Sequence, residues 1–147
     1  KNSSNNLKVS KNMLDLFSKI VLDKVINSEY VEGALEFIKN NFQRYKFFIS
    51  TGTPTEEIKI ILKRKNLIKY FTGIYGSPES KKNHLRKIMD KYKLNYKNLI
   101  FYGDSSIDHD AAKNYNIPFG LIRNNYNKNL IKLYKCRKIE NFLGEQI

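Results

Sequence analysis

The sequence predicts an α/β fold built on a mostly parallel sheet. Three observations predict it. From residue 31 onward, helical and extended segments alternate strictly. The extended segments are short apolar runs stopped by Gly, Pro or Ser turns, the pattern of buried strands. The segments between them carry apolar residues at helical spacing, which suits the right-handed crossovers that join parallel strands.

Each element has its own signal. Residues 12–26 place Leu14, Phe17, Val21 and Val25 on one helical stripe, and Val31 to Phe42 repeats it through Leu35, Ile38 and Phe42. Lys46 to Ser50 is an apolar run ending in Thr51-Gly52-Thr53-Pro54, a buried strand and a tight turn. Pro54, Glu56 and Glu57 open a helix that runs to about Lys65. Gly73 to Gly76 reads as a very short strand. Ser77-Pro78-Glu79-Ser80 caps a helix to about Tyr92. Asn98 to Tyr102 is a strand stopped by Gly103-Asp104-Ser105-Ser106, and a helix through Ala111 and Ala112 follows. Pro118 to Ile122 is a fifth extended piece, and one or two helices close the sequence. There are no repeats, low-complexity tracts or clear linkers.

Composition narrows the function classes. The 147 residues amount to about one domain, and 41% of them are aliphatic, aromatic or Cys, enough for a real core. No apolar run approaches the roughly 18 to 20 residues that span a membrane. The polar, Asn-rich stretch from Lys1 to Lys11 lacks the apolar core of a signal peptide. Cys136 is the single cysteine, which excludes an internal disulfide and fits a reducing, cytoplasmic setting. The 27 Lys and Arg against 14 Asp and Glu give a net charge of +13. The basic residues are scattered, and their densest cluster, Lys63-Arg64-Lys65, ends a helix, where cations suit the dipole. The charge therefore reads as a solvated surface rather than a specific nucleic-acid site. His84 and His109 read as exposed helix residues, and Cys136 as a bystander.

Three polar signals fall where such a fold puts its ligands, beyond the carboxyl ends of the strands. Thr51 ends one strand, Asp104 ends another, and Lys81 opens a helix after a third. Asp108 adds a second carboxylate. Carboxylates bind Mg²⁺, an ammonium neutralises phosphoryl charge, and a hydroxyl with free backbone N–H groups holds phosphoryl oxygens. This is equipment for phosphoryl transfer.

These residues resemble the haloacid dehalogenase superfamily of Mg²⁺-dependent phosphatases, in its phosphoglycolate-phosphatase-like branch. Phe47-Phe48-Ile49-Ser50-Thr51-Gly52-Thr53-Pro54 is similar to the family's second motif. Gly76-Ser77-Pro78-Glu79-Ser80-Lys81 is similar to its third. Leu99 to Asp108, with Gly103-Asp104 and Asp108, is similar to its fourth. Asp110-Ala111-Ala112 and Asn116-Ile117-Pro118 continue the pattern. Thirty residues separate Thr51 from Lys81 and 23 separate Lys81 from Asp104, which fits the family's order and spacing. The resemblance covers about residues 30–143.

It implies roles residue by residue. Thr51 would hydrogen-bond the transferring phosphoryl group, helped by the Gly52 N–H. Lys81 would neutralise charge on the nucleophile and the phosphoryl group. Asp104 and Asp108 would hold Mg²⁺, Ser105 would add its N–H or hydroxyl, and Asp110 would serve a helix N-terminus. The implied substrate is a small phosphorylated metabolite, with no specific nucleic acid and no membrane as partner.

One motif departs from the family. Its first motif is a strand ending in Asp-x-Asp-Gly-Thr, whose first Asp becomes an aspartyl phosphate. No Asp-x-Asp precedes Thr51, and Asp108-His109-Asp110 belongs to the fourth motif. Asp23 is a poor substitute, because Val25 stands where the second carboxylate belongs. The resemblance thus implies a Rossmannoid three-layer sandwich without its first, central strand and most of its helical cap. Residues 1–29 would be a residual cap or linker segment and 30–147 the α/β core. The loss of that strand would leave a gap lined by apolar side chains and unpaired backbone. The expected protein is a phosphatase whose nucleophile lies outside these residues, so that this chain alone is inactive. The alternatives are a non-catalytic remnant that binds phosphate, Mg²⁺ or a partner, and a sugar-phosphate mutase. A serine esterase is disfavoured because Gly103-Asp104-Ser105 has no downstream Asp-x-x-His, and a receiver domain because it needs the order Asp, Thr, Lys.

Overall fold

The computed structural model describes residue 20 and residues 22–145. Helical backbone at residues 22–26 is the described end of the first expected stripe; Leu14, Phe17 and Val21 lie outside the described residues. Then come α1 (Ala34–Asn41), β1 (Phe47–Pro54), α2 (Thr55–Arg64), β2 (Phe71–Ser77) and α3 (Lys81–Tyr92). The order continues with β3 (Phe101–Gly103), α4 (Ser106–Asn114), β4 (Phe119–Ile122), α5 (Lys128–Leu133) and β5 (Arg137–Ile139). The alternation read from the sequence is therefore present. No helix among the described residues is long and apolar enough to cross a membrane.

Four elements differ from expectation. β1 continues through Thr51, Gly52 and Thr53 to Pro54, where the sequence suggested a tight turn, because Pro54 still pairs with Ser77 of β2. β2 is longer than Gly73 to Gly76, because Phe71 already pairs with Phe47. β3 starts at Phe101 rather than Asn98, because residues Tyr96–Asn98 close a 3₁₀ turn capped by Asn95, whose side chain accepts from Lys97 N at 2.9 Å. The closing segment contains a strand, β5, which pairs in parallel with Gly120, Leu121 and Ile122 of β4.

All strand pairs are parallel, and they form two sheets: β1–β2 and β3–β4–β5. Side chains alternate across a strand, and the contacts of successive residues identify the layer on each face. Phe47 of β1 meets Phe37 of α1 edge-on at 6.0 Å between ring centres, while Phe48 meets Tyr92 of α3 at 4.9 Å. In β3, Tyr102 meets Phe142 at 5.2 Å, and Phe142 meets Phe37 at 5.3 Å. Phe101 instead packs into the core formed by Leu85, Ala111, Ala112 and Ile117. One face of both sheets thus carries α1 with Phe142, and the other carries α3 with α4.

Three helix-to-strand transitions use the left-handed conformation. Asn66 after α2, Lys93 at the end of α3 and Asn116 after α4 have φ of 56°, 54° and 55°. Asn adopts this conformation more readily than most residues, and it reverses the chain toward the sheet.

The edges of β1 and β3 that face away from β2 and β4 pair with no strand among the described residues. Between them lies a cleft of about 750 Å³, bordered by Phe48 to Ser50 on one side and Leu99 to Tyr102 on the other. Phe37 closes it from the first layer, and Leu85 and Ile88 from the second.

Candidate functional site

The acidic end of the site is built on the turn from β3 into α4. Ser105 caps α4: its hydroxyl oxygen accepts from Asp108 N at 3.3 Å. Asp108 answers by accepting from Ser105 N at 3.2 Å and from the Ser105 hydroxyl at 2.6 Å. This capping box satisfies N–H groups that a helix start would otherwise leave open. It also folds the Asp108 side chain back over the strand. A Cβ on Gly103 would stand 2.4 Å from Asp108 Cγ, so glycine is what lets that carboxylate lie there. Asp108, not Asp110, thus serves the first turn of α4; Asp110 lies in the second turn, exposed, beside His109 Nδ1 at 3.2 Å.

Lys81 reaches this carboxylate from α3. Its Nζ donates to Asp108 Oδ1 at 2.5 Å, and the two side chains are 21% and 3% exposed. Lys81 is the first residue of its helix, and the Ser80 cap accepts from Asn83 N at 3.2 Å. Lys81, Asp108 and Ser105 are therefore brought together.

Asp104 is exposed and stands beside them in sequence, held by other groups. Its Oδ2 accepts from Asn124 Nδ2 at 3.0 Å. Its carbonyl accepts from Asn127 Nδ2 at 2.9 Å, and the same amide nitrogen reaches Ile122 O at 2.7 Å. Asn127, 5% exposed, ties the end of β3 to the end of β4. Neither asparagine was a sequence candidate. The only cue is an Asn-rich stretch, Arg123-Asn124-Asn125-Tyr126-Asn127, just past a strand, where Asn favours turns.

The hydroxyl end is looser. Thr51 Oγ1 accepts from Thr53 N at 3.1 Å and donates to Thr53 Oγ1 at 3.3 Å. Gly52 is exposed, and the hydrogen bonds of the Thr51 side chain go to Thr53 rather than to Lys81 or Asp108. The link to α3 runs instead through the preceding residue. Ser50 Oγ lies 2.9 Å from His84 Nδ1. His84 is buried at 0% exposure, not exposed as the sequence suggested: it faces inward beside Leu85, and its desolvation pushes its pKa below the usual value. His109 also differs from expectation, being half-buried and stacked on Tyr134 at 3.7 Å. Cys136 is a half-buried free thiol.

Asp23, the weak candidate for a nucleophile, is placed elsewhere. Its Oδ1 is 3.6 Å from Arg64 NH1, at the C-terminal end of α2. Thr51 lies before the N-terminal end of that ten-residue helix, which is about 15 Å long.

The donor chemistry of Asp104 and Asp108 fits Mg²⁺, a hard cation usually held by one or two carboxylates together with waters and phosphate oxygens. Both Asp108 oxygens already have protein partners, so exposed Asp104 is the more open ligand. No cluster of three or more His, Cys, Asp or Glu residues converges among the described residues.

A family model of haloacid dehalogenase-like hydrolases matches residues 1–122. No curated protein matches the chain. Among solved structures, a Clostridium difficile protein assigned as a phosphatase is 20% identical, covering 91% of this chain and 67% of its own, with a TM-score of 0.73. A Haemophilus somnus protein predicted to be a phosphoglycolate phosphatase is 22% identical, covering 80% of this chain and 56% of its own, with a TM-score of 0.70. A magnesium-bound protein assigned as a hydrolase of the same superfamily, YfnB from Bacillus subtilis, is 16% identical over 78% of this chain and 52% of its own, with a TM-score of 0.63. At these identities the likeness shows the fold, a Rossmannoid α/β architecture. The chain spans 57%, 65% and 56% of three further neighbours, between half and two thirds of their length.

Proposed function

Because the chain belongs to the haloacid dehalogenase-like hydrolases, we propose that it is the phosphate- and metal-handling part of a Mg²⁺-dependent phosphomonoesterase. Its substrate is a small phosphorylated metabolite, and its nucleophilic carboxylate is supplied from outside the described residues. The observation that carries this reading is the Lys81 ammonium, held 2.5 Å from the Asp108 carboxylate at the strand ends.

The residues act as follows. The Lys81 Nζ, oriented by Asp108, places a positive charge where a phosphoryl group gains negative charge. Thr51 Oγ1 and the exposed Gly52 N–H lie at the neighbouring strand end and hold phosphoryl oxygens. Asp104 and Asp108 hold Mg²⁺, which when bound neutralises phosphate charge. Ser105 keeps Asp108 in place. The nucleophilic carboxylate attacks phosphorus as the substrate's ester O–P bond breaks, so that an aspartyl phosphate forms and the leaving oxygen takes a proton from solvent; water then attacks phosphorus, gives up a proton, breaks the aspartyl O–P bond, and releases phosphate and the free carboxylate.

The cleft between β1 and β3 suits the entry of that nucleophile. An extended strand occupies about 160 Å³ per residue, from its rise, its lateral spacing and the thickness of a layer. The cleft of about 750 Å³ therefore takes roughly five residues, enough to bring a carboxylate toward the end of β1 that carries Thr51 and the start of α4 that carries Asp108.

The test uses the 147-residue chain with Mg²⁺. The expected result is binding of inorganic phosphate that Lys81→Ala abolishes, with no hydrolysis of p-nitrophenyl phosphate. Hydrolysis that needs Mg²⁺ and is lost in Asp104→Asn would place a nucleophile inside the chain and overturn the external one. Failure of the folded chain to bind phosphate would overturn the phosphate-handling reading.

A further inference from the structure

We infer that His84 is the positioning residue that locks the Thr51 strand end and the Lys81 helix start into one register. The inference rests on the reading that these two residues handle a phosphoryl group, and it deepens that reading.

The geometry is specific. His84 lies three residues after Lys81 on α3, so both project from neighbouring positions on one helix face. Its Nε2 is 3.2 Å from the Gly76 carbonyl of β2. A carbonyl oxygen only accepts, so Nε2 carries the hydrogen. Nδ1 is then the acceptor, and the Ser50 hydroxyl of β1 donates to it at 2.9 Å. One neutral ring thus joins three elements. The Gly76 peptide is held at its other end as well, since Gly76 N donates to Thr55 Oγ1 of α2 at 3.1 Å. No larger residue fits there: a Cβ on Gly76 would lie 2.3 Å from Thr53 O.

The chain of contacts therefore runs from Ser50, beside Thr51, through His84 to Gly76 and on to Thr55, the first residue of α2 directly after β1. It encircles the hydroxyl end of the site with fixed backbone. It also sets the rotation of the first turn of α3. Each residue of a helix advances about 100° around the axis, so a slip of the His84 ring swings Lys81 away from Asp108. A leucine of similar size would fill the space without this orienting power.

The surroundings keep the ring neutral. Burial lowers its affinity for a proton, Lys87 and Lys81 lower it further, and the Gly76 carbonyl and Glu79 oppose them. Tyr75 of β2 packs its ring 5.8 Å away. An unfolded chain takes up this proton near pH 6.5, but the folded chain resists. Stability is therefore full above that value and falls as pH drops below it, until the folded ring protonates.

The experiment compares the 147-residue chain with His84→Leu, His84→Gln and Ser50→Ala. Nitrogen NMR of the imidazole at neutral pH should report the Nε2–H tautomer; the Nδ1–H tautomer would overturn the inference. The Lys81 ammonium should give a protected NMR signal from its bond to Asp108. His84→Leu should lose that signal, while His84→Gln, which can still donate to Gly76 O, should retain it. A folded His84→Leu that keeps the signal sinks the proposal. Should His84→Leu fail to fold, Ser50→Ala decides: weaker protection of Lys81 supports the register lock, and unchanged protection refutes it. The melting temperature of the parent should fall between pH 6.5 and lower pH more steeply than that of His84→Gln, and identical slopes would count against a buried neutral His84. Phosphate binding tests the catalytic reading separately: its absence in every form, with the NMR results as expected, would fault that reading and leave the lock intact.

Discussion

The end of β1 and the turn after β3 are both tied to α3, through Ser50 with His84 and Asp108 with Lys81, but they are built in different ways. At β3 the polar groups are cross-braced. Asp108 is bound by Ser105 and Lys81, and Asn127 ties the carbonyls of Asp104 and Ile122 together. At β1 the last residues of the strand are held by their own neighbours, Thr51 with Thr53, and by His84 through Ser50. The difference follows from what each end carries. A carboxylate 3% exposed is costly unless it is paired and hydrogen-bonded, so its partners must be fixed. A threonine hydroxyl and an exposed glycine N–H carry no net charge and keep water as a partner. Rigidity at this site is thus required where charge is buried, and the hydroxyl end is free to adjust.

That contrast can be broken by mutation, and the sizes should rank accordingly. Asp108→Ala removes the reciprocal half of the capping box of α4 and strands the ammonium of Lys81 in a half-buried place. A loss of about 3 kcal/mol is expected, read as a shift of the urea midpoint; a shift within error would mean that the acidic end is not braced at all. Asn127→Ala leaves two carbonyls without their donor, for a loss of about 2 kcal/mol. Comparison with the Asn127→Asp variant by the same unfolding curve sharpens the point, since the isosteric carboxylate cannot donate and should cost at least as much. Thr51→Ala should change stability by no more than about 0.5 kcal/mol, with a loss of phosphate binding measured by calorimetry. Equal destabilisation by Thr51→Ala and Asp108→Ala would erase the distinction between the two ends.

Much of this was legible in the sequence, for physical reasons that also explain the rest. Thr51, Lys81 and Asp104 each have an ordinary structural reading, as a helix cap, a surface charge and a turn residue, and only their conjunction at strand ends, with Asp108, points to a site. The strand alternation was visible because burial on both faces forces apolar runs. β5 was not, since Arg137-Lys138-Ile139 is two-thirds basic and only Ile139 is buried. His84 was misread because a polar residue beside the Leu85 and Ile88 stripe looks like the edge of an exposed face. Its partners, Ser50 and Gly76, come from two other strands, and no periodicity carries such a contact. Asn127 was missed for the same reason: its work is to satisfy carbonyls of residues five and 23 positions away.

The edges of β1 and β3, which pair with no strand among the described residues, have a colloidal consequence. A flat, apolar strand edge is a template on which another chain can pair, and proteins guard such edges with charge. Here the guard is diffuse: a net charge of +13 spread over the whole surface. Copies of the chain repel one another as long as that field reaches across the gap between them, and salt shortens its range to about 8 Å at physiological strength. Solubility of this molecule is therefore tied to ionic strength, and its abundance of lysine acts as a dispersant for the two strand edges that border the cleft.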